Sequence, residues 1–172
     1  MTGQGFGCVP SRLSREEFLA VFGGVYEHSP WIAERVYDAG LTAAHDHLNG
    51  LHAAMAAVVD AAGPECKLAL LRAHPDLAGR LAIQDALTAD STAEQASAGL
   101  DQCTPEEFAR FRRLNEAYRA KFGFPFILAV KGRRRAEILE EFERRLQNDP
   151  AQEFATALAE VHKIARLRLH AL

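Results

Sequence analysis

Apolar side chains recur three and four residues apart along most of this chain, the spacing that lines one face of an α-helix. The breaks between these runs fall at helix start and stop signals. Ser14-Arg-Glu-Glu17 is a capping box, and Phe18, Leu19 and Phe22 give the first helix its apolar face before Gly23-Gly24 end it. Ser29-Pro30 opens a second helix to about Gly40, because proline is already set for the first helical position. From Thr42 to about Ala62 the pattern predicts a third, with Leu48, Leu51, Met55 and Val58 inward, although Gly50 costs about 1 kcal/mol there against alanine. Gly63-Pro64 resets the chain. A fourth run, Pro64 to His74, stops at Pro75, and Asp76 is then expected to cap a short helix through Leu81.

Thr104-Pro-Glu-Glu107 is another capping box, and its helix turns Phe108, Phe111, Leu114 and Tyr118 inward and Arg110, Arg112, Arg113 and Arg119 outward. After Gly123 the period changes. Phe124-Pro-Phe-Ile-Leu-Ala-Val130 is the only strand-like run, and with no second strand to pair with, its backbone groups need helix ends, water or a ligand as partners. Lys131-Gly-Arg-Arg-Arg135 would suit a phosphate. Glu137, Glu140, Glu141 and Glu143 follow directly, so ion pairing on a solvated helix is favoured. The last helix starts at Asp149-Pro150, with Phe154, Leu158, Val161, Ala165 and Leu172 in one apolar arc. Arg168 falls inside that arc, whereas Arg166 lies on the polar side with His162 and Lys163. The expected architecture is all-α, a single-domain bundle of about eight helices over residues 14–172, with no sheet and with residues 1–13 as an N-terminal arm.

Composition narrows the partners. The chain has 172 residues, 48% of them hydrophobic, which is enough for one sizeable core and leaves room for a homodimer. A net charge of -3 gives no reason to expect nucleic acid or an anionic membrane, and no segment approaches ~18 uninterrupted apolar residues. A small-molecule substrate remains. Cys8, Cys66 and Cys103 are odd in number and far apart, neither a disulfide framework nor a paired metal motif, so a cytoplasmic setting is expected. The first residues do not form a secretory signal, and the final His-Ala-Leu is not a peroxisomal one. His45 and His52 share a helix face with His47 nearby, but zinc needs three or four ligands and no Cys or acidic partner follows at i+4. No metal site is expected.

The candidate chemistry gathers around His74. Leu70 and Leu71, four and three residues earlier, place it on their own apolar side, at the C-terminus of a helix and before a proline. A helix C-terminus favours the imidazolium and burial favours the neutral ring, so the direction of its pKa shift stays open. Ser91, Glu94 and Gln95 fall on one side of a helix followed by the small Ala96, Ala98 and Gly99. Ser91-Thr-Ala-Glu94 is also a formal capping box, and both readings stand. An arginine inside an apolar arc must meet an acceptor set, so Arg168 is either half of an internal salt bridge or a ligand contact.

Four motifs, His74-Pro-Asp-Leu77, Ser91-Thr-Ala-Glu-Gln-Ala-Ser-Ala-Gly-Leu100, Phe122-Gly-Phe-Pro-Phe-Ile127 and Leu167-Arg-Leu169, occur in this order. From about Ser14 to the C-terminus the chain resembles the 2-oxo-4-hydroxy-4-carboxy-5-ureidoimidazoline (OHCU) decarboxylases of uric acid breakdown. The resemblance implies an all-helical fold of that type, no cofactor, and decarboxylation of the unstable ureidoimidazoline acid to (S)-allantoin. It implies His74 and Glu94 as the catalytic pair, with Pro75, Ser91, Gln95, Phe124, Phe126, Ile127 and Arg168 as substrate contacts. Arg166 competes with Arg168 for the last role. Two other readings are a helical binding module docking through its Arg110–Arg119 and Lys131–Arg135 faces, and a metal hydrolase using His45, His47, His52 and His74.

Overall fold

The structure is a computed structural model that describes residues 5–78, 88–100 and 103–172. Among these residues eight α-helices form and no strand does, as the periodicity predicts. They fall into two compact units, one of residues up to 73 together with 162–172, the other of residues 74–161.

In the first unit, α1 (Arg15–Phe22) starts at the expected capping box. The Ser14 N–H donates to the Glu17 carboxylate at 2.8 Å, and this bond holds the Glu17 carboxyl below its usual range. Phe18 and Phe22 are fully buried, and α2 (Trp31–Asp38) adds Ile32, Ala33 and Val36 to the core. The third predicted helix is broken in two. A 3-10 turn, Ala43–Asp46, comes first, His47 is extended, and α3 (Leu48–Ala61) follows. A Cβ at Gly50 would lie 1.9 Å from the Ala44 carbonyl oxygen, so the turn folds back onto α3 where only glycine fits. The inward face carries Leu48, Leu51, Met55 and Val59 in place of Val58. The N-terminal arm is packed against this unit: Ser11 donates twice to the Asp46 carboxylate, at 2.7 and 2.8 Å, and Phe6 meets Phe22 edge-on. Helix α4 (Pro64–Arg72) buries Leu70 and Leu71.

In the second unit, α5 (Ala89–Ser97) is followed by α6 (Pro105–Phe122), which the Thr104–Glu107 capping box opens and Gly123, at φ +79°, closes. The run from Phe124 to Val130 is buried and pairs with no strand. Two charged side chains from neighbouring helices meet its backbone. Arg145 of α7 (Arg135–Leu146) donates to the Ile127 carbonyl, and Glu160 of α8 (Pro150–His170) accepts from the Ala129 N–H at 3.0 Å. These are the partners a lone extended segment requires. They also rotate the predicted arc of α8, because Glu153 and Glu160 turn inward with Ala157 and Val161 while Phe154 and Leu158 stay partly exposed. In the first unit the same helix buries Ala165, Arg168 and Leu169, and Leu172 is 48% exposed.

Several of the basic side chains on these faces are ion-paired. Arg110 pairs with Glu143, Arg112 with Glu116, Arg119 with Asp76, Arg134 with Glu137 and Arg135 with Glu107. These pairs reduce the free positive charge on the faces of the docking reading.

Candidate active site

His74 follows Ala73, the C-cap of α4, and is 7% exposed. The backbone from His74 to Ala78 is held from two helices. From α5, Gln95 accepts the Ala78 N–H through Oε1 at 3.3 Å and donates through Nε2 to the Asp76 carbonyl at 3.4 Å. From α6, Asn115 Nδ2 donates to the Leu77 carbonyl at 2.9 Å, and Arg119 Nε donates to the Asp76 carboxylate at 3.0 Å. Asp76 thus pairs with an arginine. The short helix that it was expected to cap lies, beyond Ala78, outside the described residues. Ala78 adopts φ +51°, a left-handed conformation that costs a non-glycine residue about 1 kcal/mol or more and persists where surrounding contacts over-determine it.

Helix α5 begins three residues earlier than its capping box predicts. Thr88 is the N-cap, extended at φ -69° and ψ 161°, and its hydroxyl accepts the Ser91 N–H at 3.2 Å. Ser91 is therefore not the cap of this helix. Asp90 in the first turn suits the positive end of the helix and supports the earlier start. Ser91 becomes an interior residue, 4% exposed, with Glu94 and Gln95 three and four positions on along the same face. Gln95 turns that face toward the His74–Ala78 backbone.

Helix α6 ties the remaining elements together. Tyr118, three residues after Asn115, is fully buried with its ring 5.7 Å from that of Phe124 and 5.4 Å from that of Phe126. Burial, followed by its bond to Glu153, pushes the Tyr118 hydroxyl pKa up, so it stays a protonated donor. The second unit thus holds His74, Pro75, Ser91, Glu94, Gln95, Phe124, Phe126 and Ile127. Arg168 belongs to the first unit, where Nη2 meets Glu27 at 2.7 Å and Nη1 donates to the Val25 carbonyl at 3.3 Å. Arg166 is exposed, so of the two arginines Arg168 is the inward one, and the internal salt bridge is made.

Sequence reasoning passed over Asn115. Its signal was there, a polar residue between Phe111 and Tyr118 on an apolar face. Two of the four histidines of the metal reading are engaged elsewhere: His45 Nδ1 accepts the Thr42 N–H, and His52 Nε2 bonds the His162 carbonyl at 2.9 Å. Among the described residues no three His, Cys, Asp or Glu side chains group as a metal site, and no helix is long and apolar enough to cross a membrane.

On an all-helical scaffold, a buried histidine thus heads a backbone segment that a helix face bearing serine, glutamate and glutamine holds through Gln95. The model of the OHCU decarboxylase family matches residues 11–170. The 2-oxo-4-hydroxy-4-carboxy-5-ureidoimidazoline decarboxylase of Haloferax volcanii is 46% identical over 159 residues, covering 92% of this chain and 90% of its own. The crystal structure of an (S)-allantoin synthase superposes with a TM-score of 0.75 at 36% identity, covering 94% of this chain, which spans only about half (52%) of that longer protein. An OHCU decarboxylase crystallised in the presence of (S)-allantoin shares the fold, with a TM-score of 0.66 at 21% identity over 92% of this chain and 97% of that one. The chain belongs to the OHCU decarboxylase family.

Proposed function

We propose that this protein converts 2-oxo-4-hydroxy-4-carboxy-5-ureidoimidazoline to (S)-allantoin with loss of carbon dioxide, as a cytoplasmic step of uric acid degradation. The observation that carries the reading is the buried His74 at the head of a backbone segment that Gln95, on the Ser91–Glu94–Gln95 face of α5, holds by its bonds to Asp76 and Ala78. Breaking the bond to the carboxylate leaves an electron pair on carbon. The substrate supplies its own sink, since that pair delocalises into the adjacent ring C=N and carbonyl system. The protein then has to hold the carboxylate out of the conjugated plane, stabilise developing charge and deliver one proton to one face.

In this reading neutral His74 and ionised Glu94 bind the hydroxyl and ring N–H edge. His74 shuttles the proton that sets the stereochemistry. Ser91 and Gln95 orient the ring, Pro75 shapes the wall beside His74, and the backbone of Phe124, Phe126 and Ile127 offers hydrogen bonds. Arg168 grips a carbonyl or ureido oxygen through its planar fork.

The test generates the substrate in situ from urate with the two upstream activities and follows one allantoin enantiomer by circular dichroism. His74→Asn is expected to stay folded and to lose about 100 to 10,000-fold of the acceleration, the usual worth of a positioned proton-transfer group. Unchanged stereospecific turnover in that variant removes His74 from the mechanism.

A further inference from the structure

Asn115 carries a buried polar atom that no described residue uses. The residue is 6% exposed, on the face of α6 between the fully buried Phe111 and Tyr118. Its Nδ2 donates to the Leu77 carbonyl, which fixes the orientation of the amide. The other end, Oδ1, is buried with no hydrogen-bond partner among the described residues. An unsatisfied buried acceptor costs about 1–3 kcal/mol, and an apolar side chain of the same shape would avoid that cost. The amide therefore does something at Oδ1 that the folded chain alone does not reveal.

We propose that Asn115 is a substrate-contacting residue, its Oδ1 accepting an N–H of the imidazoline ring or ureido group. The inference rests on the decarboxylase reading above and adds a residue to it. Three features fit. Leu77 lies three residues from His74, so the amide is anchored to the loop that presents the catalytic imidazole. Asn115 and Tyr118 share α6, and Tyr118 packs on Phe124 and Phe126 of the segment assigned to substrate binding. The substrate class, a cyclic and open-chain urea, is rich in N–H donors, whereas the ionised Glu94 supplies acceptors only. A further acceptor, on α6, extends recognition to a second N–H.

The test separates the two ends of the amide. Asn115→Asp keeps an acceptor in place of Oδ1, and Asn115→Leu removes both ends. Calorimetry with (S)-allantoin, a neutral ligand, is expected to give a Kd within about threefold of wild type for the aspartate variant and at least about tenfold weaker for the leucine variant, the worth of one lost buried hydrogen bond. KM for the substrate should follow the same split. Equal weakening in both variants overturns the proposal, since both lose the Leu77 bond and the amide would act through the loop alone. Wild-type affinity in the leucine variant also overturns it. If that variant does not fold, Asn115→Ala takes its place with the same expectations. A wild-type protein that neither turns over the substrate nor binds allantoin removes the decarboxylase reading itself, a result distinct from any difference between variants.

Discussion

Each compact unit draws one arginine inward against a buried glutamate, and the two pairs use the guanidinium differently. In the second unit Arg145 and Glu153 are both fully buried. Arg145 donates through Nε to Glu153 at 2.8 Å and through Nη1 to the Ile127 carbonyl, and its guanidinium lies 4.4 Å from the centre of the Phe126 ring. Glu153 also accepts from Tyr118 at 2.6 Å and Asn148 at 2.9 Å. In the first unit Arg168 meets Glu27 through one nitrogen and the Val25 carbonyl through another. Both acceptors lie on the loop between α1 and α2, where His28 takes φ +47°. The first pair ties helices to a backbone segment and to an aromatic ring. The second holds one arginine from one loop. A buried ion pair is by itself weak evidence of stability, and what it holds in place decides its role.

Breaking the first pair should have the largest effect. Arg145→Met leaves Glu153 buried without its cation and frees the Ile127 carbonyl, and urea unfolding is expected to register a loss of about 3–5 kcal/mol. A loss below about 1 kcal/mol would remove the scaffold role. Arg168→Lys sharpens the contrast, because the charge opposite Glu27 survives while the planar fork does not. Its stability should stay within about 1 kcal/mol of wild type while turnover falls about tenfold, the worth of one charged hydrogen bond. A variant that loses stability and keeps turnover would make the two pairs alike.

The smallest expected effect is a pH dependence specific to the first unit. There His162 Nδ1 meets the Tyr26 hydroxyl at 2.9 Å and Nε2 lies 3.4 Å from Asp60, and burial moves its pKa below the ordinary 6.5. The unfolded chain takes up this proton first as pH falls. The contribution is therefore complete above about pH 6.5 and is lost as pH drops through that value toward the lowered folded pKa. Urea midpoints between pH 8 and pH 5 should fall less steeply in His162→Gln than in wild type, and parallel curves would remove His162 from the acid response.

Local signals carried most of the helix pattern. The Ser14 and Thr104 capping boxes, the end of α4 just before His74 and the inward turn of Arg168 all appear as read from residues a few positions apart. Two helix starts were misread for one reason. Thr88 and Ser91 are both competent caps, as Thr42 and the extended His47 are competing starts, and local sequence ranks such competitors poorly. The inward carboxylates of α8 were invisible, because Glu153 answers to Arg145 and Glu160 to the Ala129 N–H, partners that only folding brings near.

The sequence by itself determined an all-helical chain, a histidine held at a helix end before a proline, and an arginine set in an apolar arc, because period, caps and proline act over a single turn. Tertiary structure alone decided that Ser91 is an interior residue rather than a cap, that Gln95 and Asn115 hold the His74 loop, and that Asn115 buries an acceptor with no partner among the described residues. Those outcomes depend on which donors and acceptors distant segments leave unsatisfied when they pack, and a buried polar group is settled by that count and not by its neighbours in the chain.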